Sequence, residues 1–251
     1  MFLLNKEKKF PAHLAVIKNQ PELLQDNKHI YEENHLGLTP YDLAYHLNRR
    51  SCLKMLDNKN FTWNKFNMDF TTINFLPTLT FDSYATLKKI VKIGQKYINK
   101  GYFMQQRLWY GARYESEILE NILPSLHIRY INDIIGFGLF ANAVIKPGTF
   151  LGEYSGILKK RKKKLLKNNF YCMRYAFYEN DFRYVIDASL SGNHTRFMNH
   201  SNNPNVTIKS AVVKNILRII FIAIKPIKKD EQLVCHYGDA YWEDLKAKHD
   251  L

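Results

Sequence analysis

From Leu126 onward, the sequence consists of short runs of β-branched and aromatic residues that are separated by turn residues. Runs of this kind predict β-strands. Pro147 and Gly148 suit the two central positions of a type II turn between two of the runs. Residues 126–251 are therefore expected to form a predominantly β domain, with strands at Ile128–Ile131, Phe150–Tyr154, Tyr184–Ile186, Ile216–Ile224 and Gln232–Tyr237.

Two similar stretches near the amino terminus, Pro11–Val16 and Thr39–Ala44, are each followed by a helical apolar pattern. Proline is tolerated in the first turn of a helix, and Leu and Ala can then pack against the next helix. The stretches resemble the turn and first helix of ankyrin repeats, although an unrelated pair of helical hairpins has the same pattern. A solenoid normally needs about three repeats, so an ankyrin-like module in residues 1–60 must pack on the part of the chain that follows it.

Residues 61–125 are predicted to be a helical connector between this module and the β domain. Apolar positions recur at helical spacing in Tyr84–Tyr97 and in Gln105–Leu123. Asn99–Gly101 separates the two stretches as a break. The expected fold class is therefore α+β.

The composition excludes several classes of protein. No uncharged apolar run reaches the about 18 residues that a membrane helix needs, and the amino terminus becomes polar at Asn5 and Lys6, too early for a secretory signal peptide. The three cysteines are widely spaced and form no C-x-x-C pair, so neither a disulfide framework nor a zinc site is predicted. We expect an intracellular protein without a membrane partner, whose net charge of +14 attracts it to acidic surfaces such as nucleic acid.

Four separated segments carry the residues best suited to chemistry: Gly136–Ala141, Gly152–Gly156, Arg196–Asn205 and His236–Gly238. In this order they resemble the SET domain of protein-lysine methyltransferases, and the third segment, which follows Gly192-Asn193, is the most specific. The resemblance implies a mostly β SET domain with a knot-like carboxy-terminal segment. It also implies S-adenosyl-L-methionine as the cofactor and a protein lysine, above all a histone lysine, as the substrate.

The same resemblance implies a set of cofactor contacts. Glycines in the first segment let the main chain approach a cofactor closely, while Asn and His in the third segment offer polar groups to its charged end and its adenine. The aromatic pair after the last segment can stack on adenine, although it also suits hydrophobic anchoring. The candidate cofactor-binding residues are Gly136, Phe137, Gly138, Tyr175, Arg196, Asn199, His200, Tyr241 and Trp242.

Tyr237 has the position of the family's catalytic tyrosine. A phenol can hydrogen-bond the incoming amine and orient it without becoming an anion. Tyr154 and Tyr175 are further candidates to wall the lysine channel, although both also suit an ordinary core. The resemblance also implies that Cys235, two positions before Tyr237, lies in this channel. Because a thiol is smaller than a phenol we expect di- or trimethylation, although Tyr154 or Tyr175 could narrow the same space.

The sequence also departs from the family around the domain. Many histone methyltransferases carry zinc-binding cysteine clusters, but this chain has Asn202 where one ligand often lies, and we predict no metal. Tyr241–Leu251 must then close the channel or leave it open. The basic run Lys159–Lys164 suits a contact with DNA phosphate or with an acidic nucleosomal surface, a nuclear localisation signal, or a solvated loop.

Three classes of function stay open at this point. Tyr237, Asn199 and His200 favour a lysine methyltransferase over a catalytically silent binding module and over a basic nucleic-acid-binding protein. Ankyrin-like repeats beside a SET domain, in a composition rich in Lys, Asn and Ile, suggest a bacterial protein that acts inside a eukaryotic host, with the nucleus as its destination.

Overall fold

A computed structural model of the protein describes residues 9–25, 29–56, 73–166, 169–178, 181, 183–239 and 241–242. The fold is α+β, with helices in the first half and a sheet-rich second half. The helices are α1 (Pro11–Lys18), α2 (Pro40–His46), α3 (Arg50–Leu56), α4 (Tyr84–Tyr97), α5 (Gly101–Arg113), α6 (Glu115–Glu120) and α7 (Lys163–Leu166). Single 3-10 turns lie at Pro21–Leu24 and His194–Phe197. Within these described ranges, no helix is long and apolar enough to cross a membrane.

Thirteen short strands follow one another among the described residues, and most of them belong to two sheets. The strands are β1 (Asn74–Phe75), β2 (Thr80–Phe81), β3 (Leu126–Asn132), β4 (Gly136–Ala141), β5 (Phe150–Glu153), β6 (Ile157–Lys160), β7 (Cys172–Tyr175), β8 (Tyr184–Asp187), β9 (Ser191–Gly192), β10 (Asn199–His200), β11 (Val206–Val213), β12 (Ile216–Ala223) and β13 (Val234–Cys235). One sheet has the order β10-β13-β11-β12-β5, and the other has the order β2-β6-β8-β7. Strands β3 and β4 form a separate hairpin, and β1 pairs with β9.

The strand predictions for the second half are confirmed in four places, at β3, β5, β8 and β12. The predicted type II turn is also present, because Gly148 has a φ of 81° and Thr149 N donates to Lys146 O at 3.3 Å. The fifth predicted strand, Gln232–Tyr237, is shorter than expected and covers only Val234–Cys235. It ends early because Tyr237 N donates to an imidazole nitrogen instead of to a neighbouring strand.

The three N-terminal helices form two packed pairs, α1 with α2 and α2 with α3. Thr39 and Asp42 form a reciprocal capping box at the start of α2, with Pro40 in its first turn. Helix α2 lies between α1 and α3, and small buried residues such as Ala12 and Ala44 allow the close approach. This arrangement agrees with either an ankyrin-like module or an unrelated pair of hairpins, so the ankyrin assignment stays a prediction.

The connector is helical only in part. Helices α4 and α5 appear where the pattern predicted them, on either side of the predicted break, and α6 follows directly. In contrast, residues 73–81 are extended: Leu76 N donates to Gly192 O and Thr80 N donates to Gly156 O, at 3.0 and 2.9 Å. Pro77 disfavours a helix here, and the partner carbonyls satisfy the exposed main-chain donors. The rest of the predicted connector, residues 61–72, lies outside the described part.

Two glycines let helices α4 and α5 press directly onto the β11–β12 hairpin. A Cβ atom at Gly94 would lie 2.0 Å from Asn215 O, and one at Gly111 would lie 2.0 Å from Val212 O. Any larger residue would push the helices away from the sheet. The turn of the hairpin also contacts α2, through an ion pair of 2.7 Å between Lys214 Nζ and Asp42 Oδ2.

Candidate active site

A cavity of about 800 Å³ lies among the segments that the sequence singled out. It opens beside the β3–β4 turn and extends along β7, the third segment and the carboxy-terminal segment. Eight of the predicted site residues line it: Gly136, Phe137, Tyr154, Arg196, Asn199, Cys235, Tyr237 and Tyr241. The lining does not include Gly138, Tyr175, His200 or Trp242 among the described residues.

A short parallel pairing brings the third and fourth segments together. Strand β10 pairs with β13, with Asn199 opposite Val234 and His200 opposite Cys235. Ser201 N continues the contact by donating to Cys235 O at 3.0 Å. The knot-like threading expected for this segment stays a prediction, but the pairing itself brings Asn199 and Tyr237 to one cavity.

Tyr237 is held at both its main chain and its hydroxyl. The hydroxyl donates to Met198 O at 3.0 Å, and the main-chain N donates to His200 Nδ1 at 3.2 Å. Since Nδ1 of His200 accepts, its proton lies on Nε2, which donates to Asn202 Oδ1 at 3.2 Å. Burial raises the pKa of Tyr237 well above its ordinary value, so the side chain is a neutral phenol.

An aromatic cluster surrounds this tyrosine. The ring centroids of Tyr237 and Tyr241 lie 4.7 Å apart in an edge-to-face contact, and Trp242 stacks on Tyr237 at 6.3 Å. His200 contacts Trp242 edge-on at 4.9 Å. His200 and Trp242 therefore support Tyr237 from behind, and their direct cofactor contact stays a prediction.

Tyr171 is a cavity residue that the sequence reasoning missed. Its main-chain O accepts from the Tyr154 hydroxyl at 2.9 Å, and the Arg196 guanidinium lies 3.9 Å from its ring centroid. Arg196 in turn donates to Ser189 O at 3.2 Å. The adjacent aromatic residues Phe170 and Tyr171, just before β7, were a sequence signal that could have indicated this wall.

The two glycines of the first segment are needed for different reasons. Gly136 has a φ of 74°, and no atom lies within 4 Å of the place where a Cβ would stand, so its main chain is open to the cavity. Asn199 Nδ2 donates to the neighbouring Phe137 O at 3.1 Å, which fixes this edge of the cavity. At Gly138, a Cβ would lie 2.6 Å from Gln232 Nε2, so the glycine there serves packing between β4 and the carboxy-terminal segment.

Tyr175 lies in the core and not at the cavity. It is fully buried, and its ring contacts Phe177 edge-on at 5.6 Å between centroids. Burial raises the pKa of its hydroxyl above the ordinary value. The structure thus favours the core alternative for Tyr175, whereas Tyr154 is both buried and part of the lining.

Cys235 lies beside Tyr237 as a protonated thiol. It is 1% exposed, and burial raises its pKa to about 12. Within the described part of the chain, no group of three or more His, Cys, Asp or Glu residues is placed to hold a metal ion.

Comparison with known proteins agrees with the site geometry. Residues 136–238 match the family described as SET domain. The histone-lysine N-methyltransferase Set2 of Drosophila melanogaster is 33% identical over 106 residues, which are 41% of this chain and 5% of that relative. Set8 of the same organism is 30% identical over 139 residues, 52% of this chain and 20% of the relative. EZH2 of Chaetomium thermophilum is 34% identical over 116 residues, 42% of this chain and 8% of the relative.

The chain therefore spans a fifth or less of the length of these three relatives. Among solved structures, a chain of the Chaetomium thermophilum Polycomb Repressive Complex 2 is 28% identical, with a TM-score of 0.43, over 53% of this chain and 18% of that one. The match over residues 136–238 contains all four sequence segments and seven of the eight predicted site residues that line the cavity. Residues 136–238 are thus similar to the SET domain, the domain of the protein-lysine methyltransferases that these segments resemble.

Proposed function

We propose that this protein transfers methyl groups from S-adenosyl-L-methionine to lysine side chains of proteins. The observation that carries the proposal is the neutral Tyr237 hydroxyl, anchored on Met198 O in the same cavity as Gly136, Arg196 and Asn199. Residues 136–238, which contain most of the cavity lining, match the SET domain family, and histone-lysine N-methyltransferases are among the relatives of the chain.

The cavity suits the cofactor in size and in chemistry. Its charged lining residues are Arg174, Arg196 and Lys209, and the described lining has no carboxylate, which favours an anionic carboxylate group. The open main chain at Gly136 and the amide of Asn199 would hold the polar end of the cofactor, and Tyr241 would contact its adenine. When bound, the cofactor supplies an electrophilic methyl group on a sulfonium.

The aromatic walls would prepare the lysine amine. Because the Tyr237 hydroxyl donates to Met198 O, its oxygen keeps lone pairs that can accept an N–H from the amine and orient it. Tyr154, Tyr171 and Tyr237 line the cavity and would exclude water from the bound amine. Desolvation lowers the pKa of a lysine, so that its ammonium group passes a proton to water before the methyl group is transferred. The residues act by orientation and desolvation and form no covalent bond.

The proposed substrate is a histone or nucleosomal protein, by similarity to the named relatives. The basic run Lys159–Lys164 is proposed to contact DNA phosphate or an acidic nucleosomal surface beside the cavity. Lys159 itself is already paired, since its Nζ lies 2.7 Å from Asp187 Oδ2. The exposed Lys160 and Lys162 are therefore the better candidates for such a contact.

The proposal has two further parts. The N-terminal helices have an ankyrin-like role, and the protein acts in the nucleus, that of a host cell if the protein is bacterial. Whether Tyr241–Leu251 closes the channel or leaves it open stays as the sequence predicted, since residues 243–251 lie outside the described part.

The test is an assay with methyl-labelled cofactor, core histones and reconstituted nucleosomes. We expect label on histone lysines, in the presence of strong chelators as well as without them. Cofactor binding without label transfer to any protein would favour a silent binding module. Salt-dependent DNA binding with no cofactor binding would favour a nucleic-acid-binding protein.

A further inference from the structure

A ring of hydrogen bonds joins helix α2 to strands β5 and β12. His46 Nδ1 donates to Leu79 O at 2.9 Å, and Leu79 N donates to Glu153 Oε1 at 3.1 Å. Arg218 Nη1 donates to Glu153 Oε2 at 2.9 Å, and Arg218 Nη2 donates to His46 Nε2 at 3.0 Å, which closes the ring. All four residues are buried. They are named the buried ring below.

The ring requires an uncharged imidazole. Leu79 O can only accept, so the proton of His46 lies on Nδ1, and Nε2 is free to accept from the Arg218 cation. Burial, followed by the neighbouring Arg218 charge, lowers the pKa of His46 to about 3. His46 therefore links a main-chain carbonyl of the extended connector to a buried cation.

The buried ring lies on the reverse face of strands that line the cavity. Side chains alternate between the two faces of a strand. Glu153 and Arg218 belong to the ring, whereas the next residue in each case, Tyr154 or Ile219, lines the cavity. Tyr154 N donates to Ile219 O at 2.7 Å, which joins these two wall residues. A shift of the ring would therefore move the cavity wall.

Glu153 also contacts the 3-10 turn at His194–Phe197, which lies at the start of the third sequence segment. Its main-chain O accepts from Asn193 Nδ2 at 2.9 Å and from Thr195 Oγ1 at 3.3 Å. Thr195 and the following Arg196 line the cavity. One residue thus connects the buried ring to both the channel wall and the third sequence segment.

We infer that His46 is a positioning residue for the active site, and that helix α2 belongs to the catalytic unit through the buried ring. The helices of residues 9–56 are then more than an appended module, because the hydrogen bonds of His46 fix the strands behind the cavity. The test of this inference by methyl-transfer activity rests on the proposed function, whereas the test by amide hydrogen exchange does not.

The experiment compares His46→Phe with Val16→Ala in the full chain. Phe keeps an aromatic ring but removes both hydrogen bonds, while Val16 is fully buried in the same helical region and makes no ring contact. At a temperature where both variants stay folded, His46→Phe should speed amide exchange in residues 151–156 and 191–199. It should lower kcat by about tenfold or more with a small change in the KM of the peptide, as expected for a misplaced site. Val16→Ala should change neither the amide exchange of these two segments nor kcat.

Faster exchange confined to residues 9–56 and 73–81, or an equal effect of Val16→Ala, would overturn the inference. If His46→Phe does not fold, His46→Gln decides, because the Gln amide offers an acceptor to Arg218 and a donor to Leu79 O without the rigid ring that fixes their positions. We then expect a smaller change in the same two segments. If the unsubstituted chain methylates no substrate, the proposed function fails, and the exchange measurement still decides the role of His46.

Discussion

The cavity and the buried ring use polar groups in opposite ways, although they lie on the two faces of the same strands. In the ring, Arg218 and Glu153 form a buried ion pair, and Arg218 also donates to Thr78 Oγ1 and His46 Nε2. In the cavity, the hydroxyls of Tyr154 and Tyr237 each donate to one main-chain oxygen. Their lone pairs stay available for a ligand. A closed network fixes one structure, whereas an open one can bind.

The sharpest test of this comparison is the removal of a charge from the ring. Arg218→Met would leave the buried Glu153 carboxylate without its cation, and we expect it to lower the free energy of unfolding by about 3–5 kcal/mol. Urea unfolding followed by circular dichroism measures the change.

The matched control is the double variant Arg218→Met with Glu153→Gln. Because it removes both charges, it should recover a large part of the lost stability. If the single variant is no less stable than the double variant, the closed charge pair does not hold the strands as described.

The cavity should show the opposite behaviour. Tyr237→Phe removes a hydroxyl that acts on the geometry of transfer, so methyl transfer should fall by about 10²–10³-fold, the range for loss of one preorganised hydrogen bond at the reacting centre. Loss of its bond to Met198 should cost only about 0.5–1.5 kcal/mol of stability. Single-turnover assays measure the loss of transfer, and urea unfolding measures the loss of stability. Turnover within a few-fold of the unsubstituted chain would remove Tyr237 from its catalytic role.

The sequence could predict the cavity better than the ring, and the reason is physical. The cavity residues lie in contiguous segments whose order and composition are specific, and a short β10–β13 pairing suffices to bring them together. The ring joins His46 and Arg218 across 172 positions, and one of its links is a main-chain group of Leu79 that no side-chain pattern reveals.

Two individual residues show where sequence reasoning reaches its limit. Tyr171 reaches the cavity because its carbonyl accepts from Tyr154, a contact that depends on the path of the main chain and not on residue type. Tyr175 is a candidate for the cavity by sequence, but it lies in the core, where burial raises its pKa and the nearby charges of Arg218 and Glu153 act in opposite directions. A tyrosine in a short strand suits either face, and only the register with β8 decides which one it occupies.

A smaller effect is expected at the edge of the cavity. Asn199→Ala should weaken cofactor binding by about 1–3 kcal/mol, because it leaves Phe137 O and the polar end of the cofactor without a donor. Isothermal titration with the cofactor measures the loss. Asn203→Ala is the control, since Asn203 is exposed in the following loop and contacts Lys225. Equal affinities of the two variants would count against the placement of Asn199.

The smallest change in rate, but a change in product, is expected at Cys235. The thiol is buried beside Tyr237, and because it is protonated and a weak hydrogen-bond donor it holds water poorly. It also leaves more room around the amine than a phenol would. We therefore expect the unsubstituted chain to proceed to di- or trimethyl-lysine. Cys235→Tyr should stop at monomethyl-lysine, with a first-methylation rate within a few-fold of that of the unsubstituted chain.

Cys235→Ala, which adds neither volume nor a donor, should keep the multiply methylated product. Mass spectrometry of a peptide after long incubation with excess cofactor distinguishes these outcomes. An unsubstituted chain that stops at monomethyl-lysine would show that Tyr154 and Tyr171, and not Cys235, limit the space around the amine.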